Sequence, residues 1–164
     1  MSADACVAPT GGVTILLFSG DFDRVQAALM VAIGAAASGF PVTIFFSFWG
    51  LTALRRKSRF GGKSFLEKMV SAMLPGGIHG LPTSRMNFLG VGPRLFKTLM
   101  RRKCVPEPAE MLEQARELGV RFVACATSMD VMGISADELI SDVQAGGVAS
   151  FLDVASRSSV QLVF

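Results

Sequence analysis

The sequence has no tyrosine, a single histidine (His79) and few charged residues, 18% in all. Without tyrosine, and with phenylalanine dominating the aromatic residues, it offers no stacking platform for bases, so nucleic acid is not an expected partner. The three cysteines, Cys6, Cys104 and Cys125, are an odd number with no CxxC pair. With one histidine to accompany them, a disulfide framework and a zinc site both fall away, and reduced thiols suit a cytoplasmic protein. Also absent are GxGxxG, HExxH, EF-hand spacing and GxSxG. Dehydrogenase, metalloenzyme and serine hydrolase readings therefore lack their motifs, and no cofactor or metal is expected. "GVGP" and "PGGIHG" are glycine-rich but neither follows a strand and opens a helix with the required Lys and Ser/Thr.

No charge interrupts the chain from Ala27 to Leu54, a run long enough for a spanning helix. Its punctuation argues against one. Asp21 or Asp23 can cap an Ala-rich helix, Gly39 suits the position just past its end, and Pro41 stops it. "VTIFF" (Val42–Phe46) then reads as a strand buried on both faces. The N-terminal "MSADACVAPTGG" lacks a basic region followed by an apolar stretch, so it is no secretory signal. Residues 1–12 are expected to be a disordered lead-in, with Cys6 incidental.

What is abundant is apolar side chain, 51% of the chain. One domain over residues 13–164 can bury a good part of it. The remainder calls for an oligomer interface or a peripheral membrane contact. The net charge of +3 is local: Arg55, Arg56, Lys57 and Arg59 form one cluster, and Arg101, Arg102 and Lys103 another. Both read as solvated faces.

"VTILLF" (Val13–Phe18), "VTIFF", "VRFVAC" (Val120–Cys125) and "VQLVF" (Val160–Phe164) read as strands alternating with helices. Among the helices, Pro106–Leu118 turns Met111, Leu112, Ala115 and Leu118 to one face. "SADELI" opens with the Ser135/Glu138 pattern of a capping box, and another helix starts near Gly147. At least four continuous apolar strands in this rhythm predict an open, mainly parallel α/β sheet of flavodoxin or Rossmann type. Residues from about 54 to 103 form a Gly/Met/Phe-rich insertion, with helices expected at Ser64–Met73 and Pro93–Met100. A long connection of this composition suits an adaptable contact surface.

Ligands of open parallel sheets bind beyond the carboxyl ends of the strands. Cys125 stands at such an end, in "RFVACATSMDVMG", where free backbone amides favour thiolate over thiol. Ser19, Gly20 and Asp21 follow the first strand and can line the same cleft. His79, in a Gly-rich segment, is a candidate base or polar ligand. Geometry alone leaves Cys125 open as a reactive thiol or as a small buried side chain.

With these residues in hand, the chain resembles the DsrE/DsrF/DsrH-like superfamily, and within it the longer branch often labelled peroxiredoxin-like. The likeness spans nearly the whole chain. It rests on "ILLFSGDFDRVQAALMVAIGAAASGFPVTIFFSFWGLTALRR", "LPTSRMNFLGVGPRLFKTLMRRK", "VACATSMDVMGI" and "GGVASFLDVAS", in that order. It implies a three-layer α/β fold, a homo-oligomer, and a sulfur-carrier role in which a cysteine relays sulfane sulfur as a persulfide. Cys125 matches the cysteine of the branch's C–x–x–S–M–D–x–M–G segment, and Ser128, Met129, Asp130 and Gly133 match positions that shape the pocket. No rhodanese or CxxC-type module accompanies it, so separate donor and acceptor proteins, rhodanese or TusA-like, are implied. Peroxide reduction needs Thr and Arg positioned at the thiol, whereas Thr127 follows Cys125 and no Arg lies in the motif. The rival reading is a non-catalytic oligomeric binding or assembly module, with a structural Cys125 and a membrane-facing middle segment.

Overall fold

The computed structural model describes residues 11–56, 69, 73–85 and 91–164. The expected lead-in up to residue 10 and most of the helix expected at Ser64–Met73 lie outside them. Five strands form one sheet: β1 (Gly12–Leu17), β2 (Val42–Phe46), β3 (Arg121–Cys125), β4 (Val143–Gly146) and β5 (Ser158–Val163). Their order across the sheet is β4-β3-β2-β1-β5, and every pairing is parallel. The helices are α1 (Phe22–Ala37), α2 (Val91–Arg102), α3 (Pro108–Glu117), α4 (Ala126–Met132) and α5 (Val148–Ser156). Short 3₁₀ segments cover Phe48–Leu54, Ile78–Gly80 and Ala136–Glu138.

Side chains alternate along a strand, so the consecutive Phe45 and Phe46 face opposite layers. Ile15, Leu17, Ile44, Phe46, Phe122 and Ala124 join the main core with Val25, Ala28 and Leu29 of α1 and Met111, Leu112 and Ala115 of α3. The Phe46 and Phe122 rings meet edge to face at 5.6 Å. Phe45 turns the other way and packs against Phe151 of α5 at 5.2 Å. Each fully buried side chain of this size contributes about 1.5–3 kcal/mol relative to exposure.

Topology converts this layering into a site. From β1 through β4 the chain steps steadily across the sheet, with α1, α3 and α4 against the main core. From β4 it returns to the far side of β1, and α5 covers the opposite face. The connections leaving β3 and β4 therefore diverge, opening a switch point between their carboxyl ends. The residues paired there are Cys125 and Gly146.

The uncharged Ala27–Leu54 run is divided among α1, β2 and a 3₁₀ segment. No helix of the described residues is long and apolar enough to cross a membrane. α1 ends where its residues dictate. Gly39 adopts φ +86°, and the N–H groups of Gly39 and Phe40 donate to the carbonyls of Ala36 and Ala35 at 2.9 and 3.1 Å. This is a Schellman motif, and a side chain at Gly39 would be strained. Asp21 takes the N-cap position, while Asp23 lies in the first turn and accepts the Ser84 N–H at 2.9 Å.

The basic clusters part company. Arg101, Arg102 and Lys103 are exposed as expected, and Arg101 pairs with Glu107 at 2.9 Å. Arg55 corrects the solvated-face reading: it is buried, and its Nη2 donates to Glu138 Oε2 at 2.7 Å, both side chains being 0% exposed. A buried guanidinium is stable only with such a partner. Arg56 is exposed, and Lys57 and Arg59 lie outside the described residues. Leu118 also differs from its expected place: it falls at the C-cap of α3 and is exposed.

Candidate functional site

Cys125 ends β3 and is the N-cap of α4, so the chain passes from strand to helix with no intervening loop. Only 5% of the residue is exposed. The neutral polar groups that favour its thiolate are the hydroxyls of Ser128 and Ser47 and the backbone amides of Ser128 and Thr127. Burial works against ionisation, yet these hydrogen bonds outweigh it and bring the thiol below its ordinary value.

Ser47 comes from the end of β2, the neighbouring strand, and its Oγ lies 3.0 Å from Ser128 Oγ. When sulfur is a thiolate, both hydroxyls can turn to it; when it carries a proton, one hydroxyl can donate to the other. Replacing either hydroxyl removes a donor made strong by the charge it faces. Ser128→Ala and Ser47→Ala are each expected to shift the pH midpoint of Cys125 alkylation upward. At neutral pH each should slow alkylation by at least about threefold. A pH series with iodoacetamide checks this, and an unchanged profile in both variants contradicts the donor assignment.

The other sequence-selected residues separate. Ser128 is buried against the sulfur. Met129 points into the core, Asp130 is exposed, and Gly133 ends α4 in the left-handed region at φ +60°. Ser19, Gly20 and Asp21 occupy the same sheet edge beyond β1, on the far side of β2. There Ser19 Oγ donates to Asp21 Oδ2 at 3.0 Å and accepts the Asp21 N–H at 3.2 Å. A Cβ at Gly20 would fall 2.7 Å from the Trp49 carbonyl oxygen, so glycine permits the close approach of the two turns. His79 is not brought to the thiol. It lines a separate cleft of about 670 Å³ with Arg56, Gly77, Leu112, Glu113 and Ile140.

Sequence reasoning missed Ser47, although it is the first residue beyond β2. The carboxyl-edge rule that selects Ser19 and Cys125 selects it equally.

Fold and site together define a class: a parallel three-layer α/β protein that holds a buried thiol, with Ser47 and Ser128 beside it, at the sheet's switch point. The profile of the DsrE/DsrF/DrsH-like family matches residues 10–163. The chain is 44% identical over 154 residues to the uncharacterized protein YrkE of Bacillus subtilis (strain 168), covering 93% of this chain and 96% of that one. It is 28% identical over 156 residues to the sulfur carrier protein DsrE2 of Allochromatium vinosum, covering 92% and 96%. The crystal structure of the ychN protein from E. coli superposes with a TM-score of 0.52 at 16% identity, over 93% and 99% of the two chains, and shares the fold. The chain belongs to the DsrE/DsrF/DrsH-like family.

Proposed function

We propose that this protein carries sulfane sulfur as a persulfide on Cys125 and passes it to a partner protein. The observation that carries this reading is the position of Cys125, a recessed thiol at the carboxyl end of β3 and the start of α4, on the strand next to the one that ends in Ser47. The name of the Allochromatium vinosum relative, a sulfur carrier, supports it.

The exchange is balanced in sulfur. The Cys125 thiolate attacks the outer sulfur of a donor persulfide, a new Sγ–S bond forms, the donor S–S bond breaks, and the donor leaves as its thiolate. With thiosulfate as donor, sulfite is the leaving group. In the second half an acceptor thiolate attacks the outer sulfur on Cys125, and Cys125 departs as thiolate. Neutral donors lower the energy of that departing charge without locking it into an ion pair. Peroxide reduction fits the site less well, since Thr127 follows Cys125 and no arginine lies in the segment 125–133. Rhodanese or TusA-like proteins have the chemistry to serve as donor and acceptor, and a cytoplasmic setting keeps these thiols reduced.

The test is loading with thiosulfate or polysulfide followed by peptide mapping. The expected product is a mass gain of one sulfur atom on Cys125. A folded protein that gains none there overturns the reading.

A homo-oligomer is part of this proposal. Leu95, Phe96 and Leu99 of α2 are exposed beside a groove of about 400 Å³ that Thr83 and Ser84 also line. Buried Leu81 and Met100 belong instead to the core. Light scattering is expected to give a multiple of the chain mass. A stable monomer free of detergent contradicts the assembly.

A further inference from the structure

α5 connects β4 and β5, which stand at opposite edges of the sheet. The other described helices contribute to the main core, so among them α5 alone covers the second face. A helix is about 10 Å wide and strands lie about 4.8 Å apart, so one helix leaves part of a five-stranded face open. The opening is a cavity of about 210 Å³ between α5 and the sheet, lined from Arg121 at one end to Gly146 at the other. Side chains alternate along a strand, which puts Arg121, Val123 and Cys125 on this same face. Gly146 is the residue paired with Cys125, and a Cβ there would fall 2.7 Å from Val123 Cγ1. The cavity thus ends next to the thiol's own strand position, and glycine keeps that end clear.

The lining carries an unmatched charge. Leu16, Phe45 and Val123 pair in register across β1, β2 and β3 as an apolar row. The row two residues nearer the amino ends is Gln161, Thr14, Thr43 and Arg121, polar on four neighbouring strands. Gln161 and Thr14 are occupied: Gln161 donates to the Ala155 carbonyl at 2.7 Å, and the Thr14 and Ser158 hydroxyls lie 2.6 Å apart. Arg121 is not. Exposed at the cavity mouth, its guanidinium reaches the Thr43 hydroxyl, with Nη2 at 3.2 Å. It has no carboxylate partner among the described residues. Asp153 lines the same cavity but is bonded to Arg157, so Arg121 remains as the excess charge.

We infer that this cavity takes a small-molecule sulfur donor, a peptide-sized persulfide whose carboxylate binds Arg121 and whose sulfur reaches Cys125. The inference rests on the sulfur-carrier reading. A guanidinium without an acidic partner recognises a carboxylate through paired, charge-assisted hydrogen bonds. Thr43, Gln144 and Ser150 add polar groups along the lining. Four residue steps separate Arg121 from Cys125, about 13 Å along the strand. A free amino acid, with carboxylate and sulfur only a few bonds apart, is too short for that span; about three residues suit it. In the exchange, the Cys125 thiolate attacks the outer sulfur of the protonated persulfide. The Sγ–S bond forms, the donor S–S bond breaks, and the hydrogen stays on the transferred sulfur. The donor leaves as its thiolate, with no net oxidation.

The test measures single-turnover sulfur loading of the intact chain, read by peptide mapping at Cys125. Three donors are compared: glutathione persulfide, the persulfide of its diethyl ester, and inorganic polysulfide. The ester has the same length without free carboxylates, and polysulfide is too short to span the cavity. Glutathione persulfide is expected to half-saturate loading at about tenfold lower concentration than the ester. Arg121→Gln is expected to remove that preference, and Arg121→Lys to restore part of it. Ser150→Glu, which sets a negative charge on the cavity wall, is expected to weaken the acid and spare the ester. Circular dichroism and polysulfide loading show that each variant is folded and competent. No preference in the parent, or one unchanged by Arg121→Gln and Ser150→Glu, overturns the cavity assignment and leaves the carrier role standing. A smaller assembly for Arg121→Gln in light scattering also overturns it, in favour of a face between copies. Failure of all three donors to load Cys125 overturns the carrier reading itself.

Discussion

Cys125→Ser is expected to abolish sulfur loading and transfer while leaving the fold intact. The hydroxyl is close in size to the thiol and can accept the same hydrogen bonds from Ser47, Ser128 and Thr127. Stability should therefore change by less than about 1 kcal/mol. Chemistry should not survive. A serine hydroxyl is not ionised near neutral pH, and the four neutral donors hold no base able to take its proton. It also cannot leave as a stabilised anion in the second half of the exchange. Peptide mapping after thiosulfate treatment, with thermal unfolding measured on the same sample, separates the two effects. Sulfur uptake retained in the variant would place the carrier elsewhere.

The largest stability effect is expected from the buried pair Arg55–Glu138. Arg55 Nε and Nη2 both donate to Glu138 Oε2, at 3.1 and 2.7 Å, and Glu138 Oε1 accepts the Ser135 hydroxyl at 3.1 Å. Backbone bonds run beside them: Arg56 N–H to the Glu138 carbonyl at 2.8 Å, and Ile140 N–H to the Leu54 carbonyl at 2.9 Å. The pair thus pins the segment after β2 to the connection between β3 and β4. Those two segments begin at Ser47 and, directly after Cys125, at Ala126, so the ion pair ties together the two connections that leave the thiol site. Removing one partner breaks the charge-assisted hydrogen bonds of the pair inside the core. Arg55→Met or Glu138→Leu alone should cost about 3–5 kcal/mol, a large part of a domain's usual 5–15 kcal/mol. The double substitution should recover much of that loss, because it removes both buried charges together. Urea unfolding checks this; single variants within about 1 kcal/mol of the parent would contradict it.

Much of the frame was legible because its signals are local. Gly39 and Pro41 punctuate the apolar stretch, so α1 and β2 could be separated, and β2 runs over the residues expected of it, Val42–Phe46. The Ser135/Glu138 capping box is present, though on a 3₁₀ turn rather than a full helix. β4 was not visible. It is four residues, Val143–Gly146, without an apolar run, and exists because its backbone completes the edge beside β3. α4 was equally hidden, since "ATSMDVM" is too short to show a stripe. The burial of Arg55 depends on a partner 83 residues away, and within "RRK" it looks like any solvated charge. At the site, position at a strand end was enough to select Cys125 and would have sufficed for Ser47. His79 shows the limit: a lone histidine in a glycine-rich segment carries no local sign of which cleft it will line.

The central claim is that the pocket makes Cys125, rather than any accessible cysteine, the sulfur carrier. Cys104 supplies a control within the same molecule, being a free, exposed thiol in the left-handed region at the end of α2. The decisive measurement is the rate of persulfide formation at each of the two cysteines across a pH series, read by mass spectrometry of the folded protein. Cys125 should load first, and its rate should level off at a lower pH than that of Cys104. Loading of Cys104 ahead of a silent Cys125 would contradict the account.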